Sequence, residues 1–140
     1  MSNENYGMEA YRTETFKQIR KVVGGAVHHA AIQRLVDMYP MAQVKVEHTS
    51  DSYDGMYRRI TVVTIAYEPG EFKDRTDYDD IFTGSWPRGM ARCLVKRRLP
   101  QTPWEQRHNK PRKFEYIDQF DRKRGIKIAF NRALKTVPRP

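Results

Sequence analysis

The C-terminal part of the chain interleaves basic and aromatic residues, a mixture that can bind a polyanion. Lys and Arg neutralise phosphate groups, and exposed aromatic rings stack on unpaired bases. We therefore predict a contact with nucleic acid, DNA or RNA. Its basic residues and one tryptophan are Lys96, Arg97, Arg98, Trp104, Arg107, Lys110, Arg112, Lys113, Arg122, Lys123, Lys127 and Arg132. Further aromatic residues among them are Phe114, Tyr116 and Phe120.

The distribution of charge supports this reading. The net charge is +9, but residues 1–87 hold 10 Lys/Arg and 13 Asp/Glu, whereas residues 88–140 hold 16 and 4. The basic C-terminal portion, 88–140, should attract a polyanion. The alternative is a solvated basic face over an ordinary core. No RNP signature, zinc finger or basic zipper is present, so the mode of binding stays open.

An acidic loop, Glu68–Asp80, is the second group of side chains that could do chemistry. Its carboxylates are Glu68, Glu71, Asp74, Asp77, Asp79 and Asp80. Hard cations such as magnesium bind carboxylate oxygens, so a metal-dependent nuclease site is a minor hypothesis. Clustered acids also form solvated loops or counter a basic surface, and we favour that interpretation.

The histidines and the single cysteine form no recognisable catalytic or zinc-binding pattern. His28 and His29 are adjacent and do not share a helix face, and His48 ends a predicted strand. A His108–Cys93 catalytic pair would require proximity that no spacing indicates. The segment Gly84–Gly89 lacks a phosphate-binding fingerprint and predicts a plain turn with its tryptophan folded onto the core. We predict that the protein is not an enzyme and has no cofactor.

Composition indicates a globular domain. The chain has 140 residues, of which 39% are hydrophobic and 31% charged, enough to bury a core. One cysteine excludes an intrachain disulfide, which favours a reducing cytoplasm. No signal peptide or membrane-spanning run is apparent. We predict a flexible segment at residues 1–10 and a single α+β domain at residues 11–140.

Apolar periodicity predicts two helices. The first begins at a capping box of Thr15 and Gln18 and ends before Pro40. Gly24 and Gly25 interrupt it, which requires either close packing or two helices with a bend. The last helix begins near Asp121, with Asp118 or Asp121 as its cap, and its Ala129 and Ala133 form a flat face suited to a sheet. Gly125 permits close approach of the first turn.

Four strands are predicted between these helices. They are Met41–His48, Arg59–Tyr67, Met90–Leu99 and Phe114–Ile117. The second strand has apolar residues at both odd and even positions, so it should be central and covered on both faces. In the third, Met90, Arg92, Leu94 and Lys96 alternate with Ala91, Cys93, Val95 and Arg97.

The order of elements predicts an α+β fold. It has a mostly antiparallel sheet of about four strands, with an N-terminal and a C-terminal helix packed on it. A turn is expected in the string TSDSYDG, and a polar, basic loop at Gln101–Lys113. Met41–His48, as an edge strand, could pair between two copies in a homodimer.

The segment from Phe120 to Leu134, FDRKRGIKIAFNRAL, resembles a pattern of small, mostly uncharacterised bacteriophage proteins. In these, an F-D-x3-G-x2-I-A-x2-R-A-L helix follows a strand with a cysteine, similar to Ala91-Arg92-Cys93. The resemblance implies a phage accessory protein that acts in the host bacterial cytoplasm.

Four functions follow from these observations. The first is an accessory protein that binds nucleic acid. The second is a protein-binding inhibitor or adaptor of a host defence or transcription complex, of an anti-defence type. The third is a metal-dependent nuclease, and the fourth a virion structural protein. Affinity that falls with salt is the expectation of the first.

Overall fold

A computed structural model describes residues 3–69, 82 and 85–140, with side chains from Met8 onward. In chain order the elements are helix α1 (Asn3–Val23), a 3₁₀ helix (Gly24–Ala26), helix α2 (His29–Met38), strands β1 (Gln43–Tyr53), β2 (Met56–Ala66) and β3 (Arg88–Arg98), helix α3 (Pro103–Arg107), strand β4 (Phe114–Tyr116) and helix α4 (Arg122–Thr136). The four strands form one antiparallel sheet in the order β1-β2-β3-β4. The predicted α+β class is confirmed.

Strands β1 and β2 form a long hairpin with a two-residue turn. Asp54 and Gly55 both have positive φ, 52° and 76°, as the turns that match the twist of a hairpin require. The turn therefore lies in the string TSDSYDG, as predicted, but β1 continues through Tyr53, and its predicted end at His48 was wrong. β1 lies at an edge of the sheet, while its pairing with a second copy stays a prediction.

The N-terminal helix begins earlier than its apolar pattern indicates. α1 begins at Asn3, so the predicted start at Thr15 was wrong. The buried Thr15 hydroxyl instead donates to the carbonyl of Pro40. Residues 3–10, part of the segment 1–10 that was predicted to be flexible, belong to α1.

The chain bends at the glycine pair. Gly24 has φ +62°, and a Cβ at Gly24 or Gly25 would meet nothing within 4 Å. Close packing therefore does not explain these glycines, and the alternative of two helices with a bend is confirmed.

The core lies between one face of the sheet and helices α1, α2 and α4. The sheet supplies Val44, Val63, Ile65 and Ala91, and the helices supply among others Ile19, Leu35, Ile126, Ala129 and Phe130. β2 is central, and the side chains on both of its faces are largely buried. Ile60, on the face away from the helices, is 9% exposed. Within the described ranges, however, the helices of the core cover only one face.

Helix α4 lies directly on β3. A Cβ at Gly89 would stand 1.9 Å from the carbonyl oxygen of Ala129 and 2.5 Å from the nitrogen of Ala133. A Cβ at Gly125 would stand 2.6 Å from Thr61 Oγ1. The predicted small-residue face and the close approach at Gly125 are thus confirmed. Asp121 is the cap, since its carboxylate accepts from the Arg124 N–H at 3.2 Å.

The connection that precedes β3 is described only in part. Trp86 packs beside Ala66 and Phe82, and its ring meets Tyr67 edge-on at 5.0 Å. The predicted packing of Trp86 on apolar residues is therefore confirmed. Among the residues that the structure describes, no helix combines the length and apolarity of a membrane span.

Candidate nucleic-acid interface

An irregularity in the sheet decides which basic residues of β3 share a face. Arg59 faces Cys93 and Arg58 faces Leu94, but Tyr57 faces Lys96, so Val95 is an extra residue in β3. Such a bulge reverses the alternation of side chains beyond it. The predicted alternation holds up to Leu94 and is wrong after it.

Beyond the bulge, Lys96 and Arg98 lie beside two aromatic rings, those of Tyr57 and Phe114. The Lys96 ammonium lies 5.1 Å from the centre of the Tyr57 ring and 4.6 Å from that of Phe114. The Arg98 guanidinium lies 5.5 Å from the Phe114 ring. The two rings meet edge-on at 5.5 Å. Contacts of this kind hold cations in place at the surface by attraction to the ring faces.

A second cation–ring contact lies next to the first. Arg59 follows Tyr57 by two residues on β2 and therefore projects from the same face. Its guanidinium lies 5.0 Å from the ring centre of Phe120, which precedes α4. Tyr116 faces Lys96 across β3 and β4 and is 77% exposed.

These residues form what we call the basic–aromatic patch. Its members are Tyr57, Arg59, Lys96, Arg98, Phe114, Tyr116 and Phe120. A groove of about 380 Å³ passes Tyr57, Arg59 and Lys96, and one of about 720 Å³ runs from Tyr116 to Phe120. Val95 lines both grooves. The two grooves therefore adjoin at Val95.

The cations of the patch lack carboxylate partners, unlike other cations of the sheet. Arg58 donates two hydrogen bonds to Asp51, at 2.9 and 2.7 Å, and Arg97 forms an ion pair with Glu115 at 2.6 Å. In the described part of the chain, Arg59, Lys96 and Arg98 form no ion pair. Their charges are thus available to an anion.

The connection between β3 and β4 extends from the patch and holds five more predicted residues. Leu99 N–H donates to the carbonyl of Lys113 at 2.9 Å, which closes the connection at its base. Inside it, helix α3 has a capping box of Thr102 and Glu105, where only a loop was predicted. Trp104 is 53% exposed and stacks on His108 at 4.4 Å. The exposed cations of the connection are Arg107, Lys110, Arg112 and Lys113.

The predicted cations of α4 do not form one group with the patch. Arg122 begins α4 near the patch, and its charge acts on His48. Lys123 and Lys127 are exposed on the helix. Arg132 lies near the other end, where its Nη1 donates to the Met90 carbonyl at 2.6 Å. Arg132 therefore also ties α4 to β3.

Tyr57 and Arg59 were absent from the residues selected by sequence. They lie outside the basic C-terminal portion, and only the register of β2 against β3 brings them to Lys96. Strand alternation puts Tyr57 and Arg59 on one face, but the sequence contains no signal for the bulge at Val95.

The other candidate groups show no assembled site in the described residues. No three His, Cys, Asp or Glu side chains in this part of the chain come together to hold a metal. Of the acidic loop, the carboxylates from Glu71 to Asp80 lie outside the described residues. Cys93 is half-buried, and burial is the main reason that the pKa of its thiol is raised. It is hydrogen-bonded to the Gln119 carbonyl at 3.8 Å.

His48 lies beneath the patch and should make stability depend on pH. Burial, then the charges of Arg122 and Arg59, lower its pKa from the ordinary 6.5. The unfolded chain thus takes up a proton at higher pH than the folded chain does. The free energy of unfolding should therefore be highest above pH 6.5 and decrease as the pH falls towards the pKa of His48 in the folded chain. Urea titrations between about pH 5 and 8 would measure this.

A His48→Gln variant provides the control for this prediction. Glutamine does not titrate, so the difference in unfolding free energy between neutral and mildly acid solution should shrink. An equal loss of stability in both proteins would assign the acid sensitivity to other groups.

Comparison of the chain with protein-family models, with curated proteins and with solved structures finds no match.

Proposed function

We propose that the protein binds nucleic acid through the basic–aromatic patch and the adjoining basic connection 99–113. One observation supports this most. The fold brings Arg59, Lys96 and Arg98 onto one face without carboxylate partners, each within 6 Å of an aromatic ring centre. A solvated surface needs no such arrangement of cations and rings. In nucleic-acid binding, by contrast, cations bind the phosphates and aromatic rings stack on the bases.

Further basic residues lie around the patch. The connection adds Arg107, Lys110, Arg112 and Lys113 at the end of the sheet where β3 and β4 meet, and Arg122 flanks the patch on α4. Residues 88–140 hold 16 Lys/Arg and 4 Asp/Glu. Long-range attraction should therefore guide a polyanion to this end of the molecule.

The test is fluorescence anisotropy of labelled DNA and RNA at about 50 to 300 mM salt. The variant combines Arg59→Gln, Lys96→Gln and Arg98→Gln. We expect its affinity to fall at least tenfold. The slope of log K against log salt should become shallower by about 2 to 3, because three phosphate contacts are lost.

A matched variant separates the patch from net charge. Lys17→Gln, Lys21→Gln and Arg34→Gln remove the same charge from exposed positions on α1 and α2. This variant should bind nearly as well as the unaltered protein. Equal losses in both variants would mean that binding is diffuse, and no binding at about 50 mM salt would overturn the proposed function.

The bacteriophage origin, the host bacterial cytoplasm, the homodimer, and the adaptor and virion alternatives stay predictions. The metal-dependent nuclease depends on carboxylates outside the described residues and also stays a prediction.

A further inference from the structure

We propose that the patch selects single strands, with a base stacked on Tyr116 and the backbone phosphates on Lys96 and Arg98. This inference rests on the proposed function and specifies its ligand. The shared chemistry is an unpaired base on a sugar–phosphate backbone, which single-stranded DNA and RNA both provide.

Tyr116 offers a free ring beside the cations. Its side chain is 77% exposed, and within the described residues it makes no ring contact. It faces Lys96 across the β3–β4 pair, where side chains begin about 5 Å apart. A phosphate on Lys96 and a base on Tyr116 would therefore belong to the same or adjacent nucleotides.

The groove beside Tyr116 has the chemistry of a base pocket. Val95, Ile117 and Phe120 line it with Tyr116, and Ile117 is 45% exposed. Apolar and aromatic side chains gain nothing from phosphates, but they stack against the faces of unpaired bases. In a duplex those faces are covered by neighbouring bases, so a duplex could use only the cations.

A carboxylate fixes the orientation of the ligand. Asp118 lines the same groove and accepts a hydrogen bond from the Gln119 N–H at 2.8 Å. Its charge repels phosphate and favours amino groups of bases, which carboxylates accept from. The base side is thus the groove at Tyr116 and Asp118, and the phosphate side lies next to that groove, at Lys96, which faces Tyr116 across the sheet, and Arg98.

The experiment compares Tyr116→Ala with the unaltered protein on three probes. These are labelled single-stranded DNA, single-stranded RNA and duplex DNA, each of about 20 nucleotides, longer than the ~4–16 nucleotides that one OB-fold domain covers. We expect the variant to lose about 5- to 150-fold in affinity for a single strand, the range for one stacked base. Its salt slope should not change, because no phosphate contact is lost.

Two further variants make the result specific. Tyr53→Ala removes a tyrosine that is 74% exposed but projects from the opposite face, and it should bind like the unaltered protein. Tyr116→Phe retains the ring and should retain affinity. Circular dichroism confirms that each variant is folded.

The outcomes separate this inference from the proposed function. Preference for single strands that Tyr116→Ala abolishes supports it, and the DNA and RNA probes identify the preferred backbone. Equal binding of duplex and single strands, unaffected by Tyr116→Ala, would overturn the inference and leave the proposed function standing. Failure of all three probes to bind would overturn both.

Discussion

Replacing Gly89 with alanine should lower the free energy of unfolding by about 3 kcal/mol or more, beyond the usual cost of overpacking. The added methyl group would lie 1.9 Å from the Ala129 carbonyl oxygen and 2.5 Å from the Ala133 nitrogen. Both are backbone atoms of α4, so no side-chain rotation can relieve the overlap. α4 must move away from β3, which opens the core at Phe130.

Gly25→Ala is the matched control for this substitution. A Cβ at Gly25 would meet nothing within 4 Å, so its effect should stay within about 1 kcal/mol. Urea unfolding followed by circular dichroism measures both variants. A midpoint for Gly89→Ala equal to that of the unaltered protein would contradict the packing of α4 on β3.

Phe130→Ala should cost about 3–5 kcal/mol, the range for a large side chain removed from a core. Phe130 is fully buried and is the largest such side chain among the described residues. It belongs to the same core cluster as Ile126 and Ala129 of α4 and the sheet residues Val63 and Ile65. Urea unfolding again gives the loss, and a change below about 1 kcal/mol would refute this role.

Phe114→Ala distinguishes the core from the patch. Phe114 is half-buried and lies under Lys96 and Arg98, so its removal should cost less stability but weaken binding of nucleic acid. Phe130→Ala, measured where the protein is still folded, should bind normally. The opposite pattern would mean that the patch depends on the core rather than on its own rings.

Local patterns in the sequence predict much of the fold. The apolar steps of α4, its cap Asp121 and the small residues Ala129 and Ala133 indicate a helix on a sheet, and all four strands lie near their predicted positions. The polar first half of α1 has no apolar stripe, so its helix was not predicted. The sequence Thr102-Pro-Trp-Glu105 does contain a capping-box signal for the short helix α3.

The candidate site is less predictable because it depends on register. Composition identifies Lys96, Arg97 and Arg98 as a basic run but does not show which of them share a face of the sheet. The bulge at Val95 places Lys96 and Arg98 in the patch, while Arg97 pairs with Glu115 on the other face. Tyr57 reaches Lys96 only through pairing of β2 with β3, a contact between residues distant in sequence.

The position of α4 at the end of the chain order has a consequence for synthesis on the ribosome. The strands pair in the order in which they are made, so the sheet can assemble progressively. Its inner face, with Val63, Ile65 and Ala91, lacks the cover of Phe130 until residues 122–136 have emerged. During that interval α1 and α2 can cover only part of this face, and the part that α4 covers later is open to chaperones and to aggregation.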